Sequence, residues 1–149
     1  VNTKEFVKQL KETGEILCLE KELTLEFEEI VTRSQLYIDP EMCLQIYENL
    51  LSNAVRYASK TIKVQLKNQR DVLFLTVQDD GTGFSEQDLE MATNPCYKSK
   101  ENIYDTHFGL GLNICKILSE RHGGKIQIAN GETNGAKVTV SLLQSQNMS

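Results

Sequence analysis

The sequence predicts an α+β fold, a two-layer α/β sandwich in which about three helices pack on one face of a mixed sheet of about five strands. Two observations support this prediction. Apolar and polar residues alternate in several short segments, as in strands with one buried face. In longer segments, apolar residues recur every three to four positions, as in helices with one buried face. A chain of 149 residues suits one domain with one core.

The helices follow from this periodicity and from residues that start or end a helix. Apolar residues recur at near-helical spacing over residues 3–21. A carboxylate followed by proline starts a second helix, expected over residues 39–58. A third helix is expected over residues 111–122, where a pair of glycines ends it. A short helix should begin at Ser85.

The strands are the alternating segments, and turn residues join some of them. The predicted strands are residues 23–27, 35–38, 62–66, 72–77, 126–128 and 138–142. The last two should form a hairpin around Asn134-Gly135. Residues 93–108 lack periodicity, so we expect a long loop of the kind that often acts as a lid.

Composition excludes several classes of function. The net charge of -5 argues against general nucleic-acid binding, which needs a basic surface. The four cysteines show no C-x-x-C spacing, so a zinc site is not expected, and Cys43 and Cys115 fit the core of a protein in a reducing compartment. No apolar run reaches membrane-spanning length. Because the chain starts at Val1, we expect a piece of a longer protein.

The second predicted helix carries a polar row beside its apolar stripe. Asn49, Asn53, Arg56 and Tyr57 share this row, which should line the rim of a cleft. An asparagine carbonyl can ligate Mg²⁺ without repelling phosphate. The alternative is a helix whose amides only face solvent. Glu48 points away from the row and is expected to be a surface residue rather than a catalytic base.

A carboxylate lies beside a glycine-rich turn after the strand 72–77. Gly81 and Gly83 let the backbone adopt positive φ and let a flat ligand approach closely. Asp79 would repel phosphate but can accept a hydrogen bond from an exocyclic amine, so it is expected to bind the base of a nucleotide. The alternative is a plain turn, which Asp-Gly often marks.

A glycine loop opens the third predicted helix. Residues 109–112 place free N–H groups at a helix start, where phosphate binds well. The sequence lacks the P-loop pattern, so this is a different kind of phosphate loop. Lys98, in the preceding loop, could reach the phosphates, although solvated charge is an equal alternative.

Taken in order, these motifs closely resemble those of sensor histidine kinases. The matching segments are the asparagine box (47–57), the first glycine box (79–83), the second glycine box (109–112) and the downstream pattern (122–124 and 135–140). The combination is highly specific and covers nearly the whole chain from about residue 39. The wider superfamily includes gyrase, heat-shock chaperone and mismatch-repair ATPases.

The resemblance implies a domain that binds ATP and Mg²⁺. By matching positions, Asn53 would hold Mg²⁺, and Asn49 and Arg56 would act near the phosphates. Tyr57 would lie near the adenine, and Asp79 would accept a hydrogen bond from the adenine amine.

The resemblance also implies an ATP lid over residues 93–108, in which Lys98 matches a basic position. The implied catalytic residues are Asn49, Arg56 and Lys98. The other implied nucleotide contacts are Gly81, Gly83, Tyr97, His107, Phe108, Gly109, Leu110, Gly111, Leu112 and Thr139.

The sequence departs from the family pattern at three places. Thr93 and Cys96 occupy lid positions where phenylalanine is usual. Residues 106–108 replace the usual glycine-glycine-threonine before the second glycine box. No phosphoacceptor histidine pattern is present, so the acceptor is expected on an adjoining domain that this chain lacks.

The leading functional hypothesis is that residues 1–149 form the single catalytic, ATP-binding domain of a sensor histidine kinase. It would transfer the γ-phosphoryl group to a histidine outside this chain. The implied partners are that histidine domain, a response regulator and, in the full-length protein, a second copy. The implied location is the cytoplasmic part of a membrane-anchored sensor, with no membrane contact by this domain. Residues 1–21 would be a linking helix or, as we favour, the first packed helix.

Three alternatives remain open. A hydrolytic ATPase of the gyrase type would carry a glutamate where this chain has Asn49, and an amide cannot act as the base. A serine kinase of the same superfamily would transfer the phosphoryl group to a serine of another protein instead of a histidine. A non-catalytic docking module would signal through contacts alone.

Overall fold

The computed structural model describes residues 1–86, 89, 110–132 and 134–144. Its centre is one five-stranded sheet, and the prediction of a mixed sheet is confirmed. The strands are β1 (Thr24–Ile30), β2 (Thr61–Gln69), β3 (Val72–Asp79), β4 (Lys125–Asn130) and β5 (Ala136–Leu143). They lie in the order β1-β2-β3-β5-β4. The β1–β2 pair is parallel and the other three pairs are antiparallel.

Three helices cover one face of this sheet: α1 (Thr3–Glu20), α2 (Pro40–Tyr57) and α3 (Leu110–Arg121). Alternate residues of β2 and β3 are buried beneath them, which is the pattern that the sequence predicted. Each helix therefore buries one stripe while the opposite sheet face carries polar side chains. No helix within the described ranges is both long enough and apolar enough to cross a bilayer.

Helix α1 is packed against the core rather than projecting from it. Its buried residues include Phe6 and Leu10. The Tyr47 hydroxyl of α2 donates a buried hydrogen bond of 2.8 Å to the Leu10 carbonyl. This contact supports the interpretation of α1 as the first packed helix of the domain.

The expected signals at the helix ends are confirmed. The Asp39 carboxylate accepts hydrogen bonds from the N–H groups of Glu41 (3.1 Å) and Met42 (3.2 Å) at the start of α2. At the end of α3, Gly123 has a φ of 75°, and the Gly124 N–H donates to the Ser119 carbonyl at 2.8 Å. This geometry closes the last turn of the helix.

The predicted strand at 35–38 is wrong. Gln35 forms only an isolated antiparallel bridge with Asn2, and the Leu36 N–H donates to the Val1 carbonyl at 2.8 Å. The alternation there comes from Leu36 and Ile38, which anchor the segment in the core. Helix α1 begins at Thr3, directly after the bridging residue Asn2, so the pairing cannot continue past Asn2 in that direction.

The buried cysteines behave as the core residues that the sequence predicted. Cys43 and Cys115 are fully buried and free, as is Cys18 at 1% exposure. Burial raises the pKa of the Cys115 thiol to about 12, and its Sγ lies 3.4 Å from the Ile46 carbonyl oxygen. These thiols therefore remain protonated and unreactive.

The predicted short helix is described only at its start, where the Leu89 N–H donates to the Ser85 carbonyl at 3.1 Å. The predicted lid over residues 93–108 lies outside the described residues.

Candidate functional site

Asp79 ends β3 on the face that the helices cover. Its side chain is 5% exposed. Oδ1 accepts hydrogen bonds from the N–H groups of Gly81 (2.8 Å) and Ala136 (3.2 Å). No described group donates to Oδ2, which leaves that oxygen available to a donor on a ligand. Burial raises the pKa of Asp79 despite the two backbone hydrogen bonds, and the nearby Asp80 adds to the rise.

The glycine turn after Asp79 packs against the end of α2. A Cβ on Gly81 would lie 2.0 Å from the Tyr57 carbonyl oxygen, so only glycine allows this approach. On the other side, Gly135 has a φ of 87°, and a Cβ there would lie 1.9 Å from the Asp79 carbonyl oxygen. Gly83 also has positive φ, at 78°. The Asp79 carboxylate is thus held between two segments that lie far apart in the chain.

The polar row of α2 lies where the sequence predicted it, at the border of the buried stripe. Asn49 and Asn53 are half-buried, Tyr57 is half-buried and Arg56 is exposed. The Asn49 Nδ2 donates to the Gln45 carbonyl at 3.0 Å, which fixes the amide nitrogen on the helix and leaves the amide oxygen as an acceptor. Within the described residues, the Asn53 amide forms no hydrogen bond.

This donor set fits Mg²⁺ bound together with phosphate. The part of the chain that the structure describes contains no cluster of three acidic, histidine or cysteine side chains that could hold a metal by itself. A metal at α2 would therefore take a neutral amide oxygen and complete its shell with phosphate and water, as Mg²⁺ usually does.

The start of α3 lies beside the C-terminal half of α2, which carries Asn49 and Asn53, because the two helices run antiparallel. His122, just past the end of α3, accepts a hydrogen bond from the Asp39 N–H at the start of α2 (3.1 Å). Further along, Cys115 contacts Ile46. The same progression brings the beginning of α3 alongside the Asn49–Asn53 region. The described parts of the three predicted motifs therefore meet at one end of the domain.

Thr139 is the predicted site residue that the structure does not bring to this end. It lies on the opposite face of the sheet, where its hydroxyl oxygen is 3.2 Å from that of Thr76 on β3. Ala136 lies beside Asp79 instead, because residues three apart on a strand face opposite sides.

The structure describes only part of the second glycine box and none of the predicted lid residues. Leu110 and Gly111 begin α3, and Leu112 is buried. The predicted residues that lie outside the described residues are Tyr97, Lys98, His107, Phe108 and Gly109.

Two residues that the sequence reasoning missed fix the glycine turn. Asn130 pairs with the backbone of Phe84 through both amide atoms: Oδ1 accepts from the Phe84 N–H at 2.7 Å, and Nδ2 donates to the Phe84 carbonyl at 2.9 Å. The position of Asn130, at the end of a strand and before Gly131, is the only signal that marked it.

Asp80 is the second missed residue, and it accepts from three consecutive N–H groups. They are those of Ser59 (2.7 Å), Lys60 (3.0 and 3.1 Å to the two oxygens) and Thr61 (3.1 Å). Desolvation alone would raise the pKa of Asp80, but the hydrogen bonds from Lys60, Ser59 and Thr61 outweigh it and lower the pKa below its ordinary value.

Comparison with known proteins identifies the family. A sequence model of the family described as "Histidine kinase-, DNA gyrase B-, and HSP90-like ATPase" matches residues 38–146. This match covers most of the chain and includes α2, the glycine turn and α3.

Similar curated proteins are sensor histidine kinases. ZraS of Salmonella typhimurium is 31% identical over 125 residues, which are 82% of this chain and 26% of that protein. WalK of Bacillus subtilis is 29% identical over 132 residues, which are 82% of this chain and 21% of that protein. The chain thus spans about a quarter of the length of these relatives.

Solved structures share the fold. The nucleotide-free catalytic domain of the histidine kinase ThkA matches with a TM-score of 0.73 and 24% identity, covering 99% of this chain and 97% of that one. Full-length ShkA, in complex with AMPPNP, matches with a TM-score of 0.70 and 20% identity over 99% of this chain and 31% of that one.

Proposed function

Because the chain belongs to the family of histidine kinase-, DNA gyrase B- and HSP90-like ATPases, we propose that residues 1–149 form the ATP-binding catalytic domain of a sensor histidine kinase. The observation that carries this proposal is the meeting of Asp79, the amide-bearing half of α2 and the start of α3 at one end of the domain. A nucleotide needs a base-binding group and a phosphate-binding group in one site.

Asp79 is proposed to bind the adenine amine through Oδ2. Its Oδ1 is occupied by two backbone N–H groups, so the carboxylate cannot rotate away from this orientation. Oδ2 accepts from no described group and is not fully enclosed by the described residues, so an exocyclic amine can reach it. This pairing selects a base that presents a donor at that position.

Asn53 is proposed to hold Mg²⁺, and Asn49 and Arg56 to act near the phosphates. When bound, the metal neutralises charge on the phosphate oxygens. The contribution of the chain is to orient the phosphates between α2 and the backbone N–H groups at the start of α3. We propose that Lys98 and residues 107–109 complete this end, that Tyr57 and Tyr97 lie near the nucleotide, and that residues 93–108 form the lid.

The phosphoryl acceptor is proposed to be a histidine of another domain. Both ring nitrogens of His122 are engaged in the fold: Nε2 accepts from the Asp39 N–H, so Nδ1 carries the proton and donates to the Leu143 carbonyl at 3.0 Å. This histidine therefore has no free nitrogen to attack ATP. An imidazole acceptor is itself nucleophilic, so the domain needs no strong base, which agrees with an amide at position 49.

The wider setting is proposed from the relatives, since the chain matches only part of each. The histidine domain of the same protein would present the acceptor, a response regulator would receive the phosphoryl group, and the full-length kinase would be a homodimer. The domain would lie in the cytoplasm as part of a membrane-anchored sensor.

The test is phosphoryl transfer from labelled ATP to the histidine domain of the same protein. We expect acid-labile label on that domain, and no label when Asp79→Asn replaces the wild-type catalytic domain. Acid-stable label would instead indicate a serine kinase. Steady hydrolysis of ATP without transfer would favour the gyrase-type alternative, and absence of nucleotide binding would favour the docking module.

A further inference from the structure

Asp80 joins two parts of the proposed site that are remote in the sequence. Helix α2 ends at Tyr57 and β2 begins at Thr61, so only residues 58–60 connect them. The last helical hydrogen bond at this end is donated by the Ala58 N–H to the Ala54 carbonyl. The next three N–H groups have left the helix, and the Asp80 carboxylate accepts from all of them.

A second contact fixes the same junction from the other side. The backbone of Gly81 touches the Tyr57 carbonyl, and its N–H is held by Asp79. Asp79 therefore holds the turn itself, and Asp80 holds the α2–β2 connection to the turn. Gly81 packs the turn against the end of α2. The junction cannot shift without breaking several charge-assisted hydrogen bonds.

We infer that Asp80 is a positioning residue for nucleotide binding, which sets the spacing between Asp79 and the half of α2 that carries Asn53 and Arg56. The inference rests on the proposed function. A nucleotide spans both groups, so a small change in their separation weakens binding even when each group remains intact.

A carboxylate is required for this task because all three partners are donors. Each oxygen of Asp80 accepts from two N–H groups. In Asp80→Asn, one of these oxygens becomes an NH₂ group that opposes a backbone donor. Asp80→Ala removes the acceptor and leaves the three N–H groups to water.

The experiment compares the Kd values of Mg-ADP and of adenosine for the wild type, Asp80→Asn and Asp80→Ala. Adenosine engages the Asp79 end alone, whereas ADP spans the junction. The matched control is Asp71→Asn, which neutralises an exposed carboxylate at the other end of β3, where it pairs with Arg33 at 2.8 Å. The melting temperature of each unliganded protein is measured in parallel.

We expect both Asp80 variants to raise the Kd of Mg-ADP by about tenfold, because the two groups that hold the nucleotide lose their fixed separation. The Kd of adenosine should rise by less, and Asp71→Asn should change neither value. An equal rise in the Kd values of both ligands would overturn the inference, because a smaller fraction of folded protein weakens the binding of every ligand by the same factor. Wild-type affinity in the Asp80 variants would overturn it too, while leaving the proposed function intact. If the wild type did not bind Mg-ADP, both the inference about Asp80 and the proposed function would be overturned.

Discussion

Replacement of Asp79 by asparagine tests the proposed base-binding carboxylate most directly. Oδ1 of Asp79 accepts from Gly81 at 2.8 Å and from Ala136 at 3.2 Å. The asparagine oxygen retains both bonds only if the NH₂ group takes the place of Oδ2. A donor would then face the adenine amine, which is also a donor, so the substitution removes one hydrogen bond and introduces a repulsion without changing shape.

The expected loss of affinity follows from this geometry. A hydrogen bond to a charged group contributes about 1.5–3 kcal/mol. Since about 1.4 kcal/mol corresponds to a factor of ten, the Kd of Mg-ADP should rise by about 10-fold to about 150-fold.

The stability of the unliganded protein should not fall. Burial raises the pKa of Asp79, so folding disfavours its ionised form. The stability that Asp79 contributes is fully present at a pH below 3.8, its pKa in the unfolded chain. It is lost as the pH rises through the higher pKa of the folded state. At neutral pH, asparagine avoids this cost, and the free energy of unfolding of Asp79→Asn should equal or exceed that of the wild type.

Isothermal calorimetry with Mg-ADP measures the affinity, and urea denaturation at pH 7 measures the stability. Asp71→Asn is again the control, because its exposed carboxylate lies far from the turn. An unchanged Kd in Asp79→Asn would refute the assignment of Asp79 to the base. A large loss of stability would refute the argument that Oδ1 keeps its two backbone partners.

Three further substitutions test other parts of the structure. Asn53→Ala should abolish the difference between the Kd values of ADP measured with Mg²⁺ and with EDTA, and a persisting difference would exclude Asn53 as the metal ligand. Gly81→Ala should lower the free energy of unfolding by about 1–3 kcal/mol in urea, because a Cβ would lie 2.0 Å from the Tyr57 carbonyl oxygen; a neutral effect would contradict that close approach. His122→Ala should cost about 1–3 kcal/mol of stability by removing two hydrogen bonds, one from the Asp39 N–H and one to the Leu143 carbonyl, at about 0.5–1.5 kcal/mol each. Its Kd for Mg-ADP should stay unchanged because His122 lies at the far end of α2, and a changed Kd would contradict that separation.

The sequence predicted the elements whose signals are local. Asp39 and Pro40 mark the start of α2 because a cap and its helix are neighbours in the chain. The turn at Asn134-Gly135 likewise marks a hairpin, which the structure confirms as β4 and β5. Alternation also identified which face of β3 is buried.

The contacts that join the site could not be predicted because they link distant residues. Asp80 meets Ser59 across 21 positions, and Ala136 meets Asp79 across 57. Periods of two or 3.6 residues show which face of an element is buried, but not which strand lies beside it or in what register. Thr139 was expected near the nucleotide because the downstream pattern resembles that of sensor histidine kinases. The sequence did not show its register against β3, and a shift of one position exchanges the two faces of a strand.

The outermost position of β1 has a consequence for solubility. Among the described residues, β1 pairs with β2 on one side only, and a strand with a free edge can recruit a strand of another molecule. Glu26, Glu28 and Glu29 are exposed on this strand. Two molecules that approach through β1 would bring these carboxylates together, and their mutual repulsion opposes growth of the sheet into aggregates. The acidic residues of β1 therefore protect the domain against edge-to-edge association.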